Sequence, residues 1–354
     1  MDKSKVVLLF YTLRYLKLKQ FYYRLYYALR KGIFKIKIGN PIVCYPQQLN
    51  WRVGLVTPNS YNSGVFTFLN LEHKFDEIDW NYSVYGKLWT YNLNYFDFLN
   101  QAGISKEKSL DLIYNYIERE DDLKDGLEPY PISLRLINWI KFISKHQIQD
   151  KKIDSVLAKH LSLLNKNLEY HLLGNHLLEN ALSLLFGAYY FRDEEKYKRA
   201  KSLLEKELNE QILKDGAHFE LSPMYHQLLL IRLLDCINLV DNNRWKEDNL
   251  LKMMKEKASR MLGWLHNITY QNGQIPLVND SVYGIAAFSE EIFDYAKNLK
   301  LKQHNLKLSD SGYRRWNEGH AEILIDIGHI GPDYIPGHAH ADTFNFEFLY
   351  KGRP

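Results

Sequence analysis

Residues 168–186 read LEYHLLGNHLLENALSLLF, and the folding of this stretch decides how its neighbours are arranged. At roughly 100° per residue, Leu173, Leu177, Ala181 and Leu184 form one apolar stripe, with Leu178, Leu182 and Leu185 as a second beside it. Asn175, His176, Glu179 and Ser183 fall together on the narrow side that remains. A helix apolar nearly all round is a buried helix. This one therefore presents a single polar edge, either to a satisfied core network or to a ligand cleft.

The helical period persists outward from it. Segments 106–119, 132–147, 153–170, 175–191, 195–212, 223–240 and 248–268 are joined by short polar loops, without a fixed-period repeat. The pattern predicts antiparallel helix hairpins stacked around a common core over residues 86–305. Residues 1–85 combine a basic, aromatic helix with short extended pieces in a turn-rich stretch. After about residue 306, AEILIDIG and DTFNFEFLY alternate and carry β-formers, so they read as strands. Two or three strands are too few for an independent sheet, and the natural protein is expected to continue past Pro354.

Composition narrows the function classes. A chain of 354 residues, 46% hydrophobic and 25% charged, is that of a soluble globular protein with room for two domains. A net charge of +4 is too small and scattered to indicate nucleic acid. The 26 Tyr, 17 Phe and 7 Trp suit sugar faces as well as core packing. Cys44 and Cys236 make no disulfide framework, so neither redox compartment nor metal binding follows from them. YTLRYLKLKQFYYRLYYALRKGIFK interrupts every apolar run with Arg, Lys or Tyr. Nothing there reaches the ~20 apolar residues of a spanning helix or has a signal-peptide layout. The location expected is therefore cytoplasmic or membrane-peripheral, ahead of periplasmic. The segment reads as a membrane-surface helix or as a helix docked on its own protein.

Three further stretches place polar groups where chemistry could use them. In GAHFELSPMYHQ, Ser222 and Pro223 are a helix start, hydroxyl cap followed by proline. Tyr225 and His226 then occupy the first turn, where the helix dipole favours negative charge and would help a phenol lose its proton. In YIPGHAHADTFNFEF, His338, His340 and Asp342 alternate, sharing one face of an extended chain unless a turn intervenes near Asp342. Such a triplet can bind a metal or divide labour between base and ligand. KLWTYNLNYFDFL sets Trp89 and Asn92 at helical spacing, and PYPISLRLINW puts Arg135, Asn138 and Trp139 on one helix face. An arginine, an amide and an indole could hold a uronate carboxylate, a hydroxyl and a sugar face, or cap and pack a core. Asp280, in QNGQIPLVNDS, is a turn former or a groove residue.

GNHLLENALSLL, GAHFELSPMYHQ, PLVND and GHAHADTFNFEF, in this order, resemble the heparinase II/III-like family of polysaccharide lyases. LWTYNLNYFDFL and SLRLINW resemble its amino-terminal part, and the likeness runs from about residue 80 to the end. YTLRYLKLKQFYYRLYYALRK resembles the subgroup encoded with bacterial capsule and O-antigen biosynthesis genes. The resemblance implies an incomplete (α/α) toroid followed by an antiparallel β-sandwich domain, of which residues 306–354 would be the first strands. It implies β-elimination at a 4-linked uronate, with an acidic polysaccharide as partner and no cofactor for the chemistry. Asn175 would neutralise the carboxylate with help from His176. Tyr225 would be the acid, and for some stereochemistries the base as well, and His338 the partner base. His340 resembles a structural zinc ligand whose companions would lie later in the natural chain. Glu179, His226, Asp280, Trp89, Asn92, Arg135, Asn138 and Trp139 complete the candidate substrate contacts. Two other readings stand beside this one: a non-catalytic glycan-binding or assembly protein, and a metal-dependent hydrolase built on His338, His340 and Asp342. Oligomeric state is not legible here.

Overall fold

The computed structural model describes residues 7, 10–11, 13–33, 46–51, 54–340 and 343–354; Cys44 and Asp342 lie outside them. Helix α1 is Leu18–Ile33. A small antiparallel sheet follows, β1 Tyr61–Asn62, β2 Val65–Phe68 and β3 Leu71–Lys74. The helical body comprises α2 Lys87–Tyr95, α3 Lys106–Arg119, α4 Pro129–Lys145, α5 Lys151–Lys166, α6 Gly174–Phe191, α7 Glu194–Gln211, α8 Pro223–Asn242, α9 Leu250–Ile268 and α10 Ser289–Asn298. A second antiparallel sheet, β4 Tyr313–Glu318, β5 Ala321–Asp326 and β6 Phe346–Tyr350, pairs in chain order.

Two kinds of helix build two layers. α4, α6 and α8 are buried on nearly every side, whereas α3, α5, α7 and α9 bury one stripe each. The first kind must be surrounded and the second must face solvent. Accordingly α2, α4, α6, α8 and α10 pack successively as an inner row, with α3, α5, α7 and α9 outside. This is an incomplete (α/α) toroid. Three outer helices, α3, α5 and α7, start at side-chain caps: Ser105 accepts from Lys108 N–H, Asp150 from Lys152 and Ile153, and Asp193 from Lys196. The inner row also shares one buried ion pair. Lys141 Nζ on α4 lies 2.6 Å from Asp235 Oδ2 on α8, and Tyr295 of α10 donates to Asp235 Oδ1 at 2.9 Å. Losing either charge would strand the other in the core.

The second sheet is held against the toroid by buried polar contacts. Tyr313 donates its hydroxyl to Leu221 O at 2.6 Å, and Tyr270 donates to Glu347 Oε2 at 2.9 Å. Buried Glu322 accepts Gln271 N–H and pairs with Arg315. These contacts bring the β5–β6 connection, with His338 and His340, across the top of the inner helices. His338 itself sits in a turn rather than on an extended strand, and Phe344 has a left-handed φ of 70°. Phe346 and Phe348 are exposed, so the face does not run on into a core. Among the described residues no helix is long and apolar enough to cross a membrane.

Candidate functional site

The inner helices end in a groove of about 1720 Å³, and three chain reversals furnish it. The first leads into α6. Leu173 has φ 66° and ψ −152°, a region where a side chain is strained, and Gly174 follows at φ 57°. A Cβ on Gly174 would stand 3.0 Å from Glu220 Oε1, so any other residue there would be both crowded and strained in dihedral. This reversal opens the first turn of α6 to the groove, with Asn175 and His176 on its lip and Glu179 one turn deeper.

The second reversal precedes α8. Leu221 has φ 58°, and Ser222 Oγ caps the helix by accepting Tyr225 N–H at 3.5 Å. The third is the loop at Asn279 and Asp280, both left-handed, a conformation that Asn and Asp tolerate. Asn279 ties the second and third to the second sheet and its β5–β6 connection: its Nδ2 donates to Leu221 O and Tyr313 Oη, and its Oδ1 accepts His340 N–H at 3.2 Å.

The side chains then converge. The Tyr225 and His338 rings stack with centroids 3.7 Å apart and planes at 25°. His338 Nδ1 lies 3.2 Å from Asp280 Oδ2, and its Nε2 lies 3.6 Å from Glu220 Oε2. Asp280 Oδ1 also meets His340 Nε2 at 2.6 Å. Glu220 Oε1 accepts the Asn175 N–H at 3.3 Å, so one carboxyl spans the α6 start and the His338 ring. His176 Nδ1 lies 3.2 Å from Glu169 Oε1, and its ring packs on Tyr130.

Burial sets the proton affinities here. It lowers the His338 pKa, and Asp280 only partly opposes this, so the imidazole is neutral at neutral pH. Burial alone would lower His176 too, but the Glu169 hydrogen bond and surrounding carboxylates raise it above the usual histidine value. Tyr225 is raised by burial and by Asp280 and Glu220. The expectation that this phenol would ionise more readily is thus corrected: desolvation and two nearby acids raise its proton affinity. Burial pushes Glu179 and Glu220 each up to about 7. Glu179 faces Arg232, whose Nε is 3.6 Å away and whose guanidinium also reaches Asp97.

The structure thus brings Asn92, Asn175, His176, Glu179, Tyr225, Asp280 and His338 to one groove. Five other candidates lie elsewhere. Arg135 is fully buried, donating to Asn94 O at 2.9 Å and Gly126 O at 3.0 Å. Trp139 is fully buried among Phe96, Tyr116 and His160. Trp89 is buried with its indole N–H on Leu71 O. Periodicity put Arg135 and Trp139 on one face correctly, but an inner helix meets core on every side. Asn138 stands one layer below the groove, donating to Asp97 Oδ1 at 2.7 Å and steadying that groove carboxylate. His226, rotated about 100° from Tyr225, points inward, its Nδ1 accepting His218 N–H and its Nε2 meeting Met261 O.

His340 directs Nε2 onto Asp280, and among the described residues no three His, Cys, Asp or Glu side chains are placed to hold a metal ion. The ligand set implied for zinc is not assembled by these residues. Glu220, Glu169 and Arg232 were not singled out from sequence. Their signal is faint: a lone charge inside FEL, LEY and LIRL, each otherwise apolar.

The family model for the heparinase II/III N-terminus matches residues 132–305, and that for the heparinase II/III-like C-terminal region matches residues 302–354. Among solved structures, heparinase III superposes with a TM-score of 0.61 at 16% identity, covering 79% of this chain and 52% of that one. A second heparinase III gene product gives 0.52 at 17% identity, covering 79% and 53%. The chain therefore spans about half the length of the solved structures it matches. No curated protein matches it. With two adjoining models running from residue 132 to residue 354 over a helical toroid that leads into an antiparallel sheet, the chain belongs to the heparinase II/III-like family.

Proposed function

We propose that the groove binds a uronate-containing acidic polysaccharide and cleaves it by β-elimination. The observation that carries this reading is the stacked Tyr225–His338 pair beside Asn175 and His176 in one groove. The C5 proton of a uronate is weakly acidic until its carboxylate charge is offset. The Asn175 amide and the His176 imidazole, whose proton affinity Glu169 raises, answer that need. His338, neutral and oriented by Asp280, removes the C5 proton. The C5–H electron pair becomes the C4=C5 double bond, the C4–O4 bond breaks, and O4 takes the proton of Tyr225. A phenol with raised pKa holds that proton until the leaving oxygen demands it. The products are a 4,5-unsaturated uronate and a new reducing end. Membership of the family supports the lyase chemistry. The resemblance of residues 11–31 to the capsule and O-antigen subgroup supports a bacterial surface glycan as substrate.

The test is ultraviolet absorbance of the unsaturated uronate on incubation with a panel of acidic polysaccharides. Absorbance rising with reducing ends supports the reading. Reducing ends without absorbance would mean hydrolysis, and binding without either would favour a non-catalytic glycan-binding role.

A further inference from the structure

Helix α1 is docked by one face only. Gln20 donates to Leu172 O at 3.1 Å, Tyr27 to Leu168 O at 2.5 Å and Arg30 to Lys166 O at 2.8 Å, and the Tyr23 ring packs 4.5 Å from Tyr170. These four recur at i, i+3, i+7 and i+10, the stripe that meets the toroid. The opposite stripe is bare. Leu18 is 87% exposed, Tyr22 63%, Leu25 62% and Leu29 54%, at i, i+4, i+7 and i+11. Phe10, Tyr11 and Tyr15, just before the helix, are exposed as well. An apolar surface of this extent marks an interaction site.

Charge narrows what covers it. From Lys3 to Leu71 the sequence contains no Asp or Glu but eleven Lys and Arg, of which Arg14 and Arg24 stand exposed on and before α1. The chain's overall +4 is thus concentrated here, and the remainder is net acidic. A glycan offers nothing to a leucine stripe. A lipid surface takes leucines below its headgroups, tyrosines among them and cations against anionic phosphates. We propose that the outward face of α1 binds an anionic lipid surface, lying in its plane. Tyr27, Ala28 and Arg30 of the same helix also line the groove, so binding would hold the groove mouth beside the membrane. This inference does not depend on the lyase reading.

The experiment is vesicle co-sedimentation of the chain, comparing phosphatidylethanolamine/phosphatidylglycerol vesicles with pure phosphatidylcholine. The expected partition is at least tenfold stronger to the anionic vesicles and weakens as salt is raised. The double variant Leu25→Glu with Leu29→Glu should lose at least tenfold, with its thermal midpoint within a few degrees of the parent, because both side chains face water. Should that variant fail to fold, Leu25→Ser with Leu29→Ser makes the same comparison. Absence of anionic-vesicle binding, or equal binding by the variant, overturns the proposal. So does a concentration-dependent dimer that the variant dissolves without any vesicle binding.

Discussion

Replacing Asp280 by asparagine tests the proposed base at nearly constant volume. Asp280 Oδ2 lies 3.2 Å from His338 Nδ1 and Oδ1 lies 2.6 Å from His340 Nε2. With Nδ1–H donated to the carboxylate, Nε2, 3.6 Å from Glu220 Oε2, carries the lone pair that accepts a proton. An asparagine can instead offer its N–H₂ to Nδ1 and drive the proton to Nε2, which removes the base. Where a carboxylate orients a catalytic histidine, its amide replacement costs roughly 10⁴ in rate. Asp280 is 45% exposed, so tautomer control is looser and a loss of roughly 10²–10³ is expected. Charge gives a second magnitude. Two unit charges at 3.2 Å interact by about 1.3 kcal/mol in a water-like dielectric. The Asp280 carboxylate raises the His338 pKa against the lowering by burial. Its loss should therefore shift the acid limb of kcat/KM to lower pH. The assay is unsaturated-product formation from pH 4 to 9, with a thermal melt to confirm folding. Activity within threefold of the parent, or an unmoved acid limb in a folded variant, would refute the role given to the Asp280–His338 pair.

Tyr225→Phe should lower kcat/KM by about 10²–10⁴ with little change in the melting midpoint, as measured by the same absorbance assay. Trp139→Ala should lose about 3–5 kcal/mol of stability in urea titration, since it empties an inner-helix core site. A selective rise in KM without that loss would return Trp139 to the groove. Stability against pH follows from groups shifted in opposite senses. Burial depresses His160 to about 4 and His226 to about 3, so their contribution is complete above the ordinary 6.5 and declines as pH falls toward those values. Glu179 and Glu220, raised to about 7, take up protons in the folded state first, so acidification from 7 to 4.5 stabilises through them. His218 is likewise depressed by burial, so three histidine slopes, each about 1.4 kcal/mol per pH unit, are only partly offset by the two glutamates down to about pH 4.5; below it the histidine losses continue and the depressed Glu120 adds its own. Urea midpoints should fall little between pH 7 and 5.5 and sharply between 5.5 and 4; an equal fall over both intervals, or none by pH 4, would contradict this reading.

Residues 168–186 alone specified an inner helix with one polar edge, because helical angle and hydrophobicity are local properties. Ser222–Pro223 likewise specified where α8 starts, and alternation in AEILIDIG specified β5. Local pattern could not say what the polar edge faces. In the structure Asn175, His176 and Glu179 of that edge open on the groove, Ser183 is buried, and Asn180, off the edge, closes a buried network with Ser133 and Glu169. Nor could spacing tell Tyr225 from His226, adjacent in sequence but turned to groove and core. Arg135 and Trp139 share the face predicted for them, yet only the packing of α2 and α4 determined that the face is interior. The meeting of Glu220, Asp280 and His338 joins three reversals far apart in the chain. That meeting, and the proton affinities it sets, depend on distances and desolvation, which exist only once the chain has closed on itself.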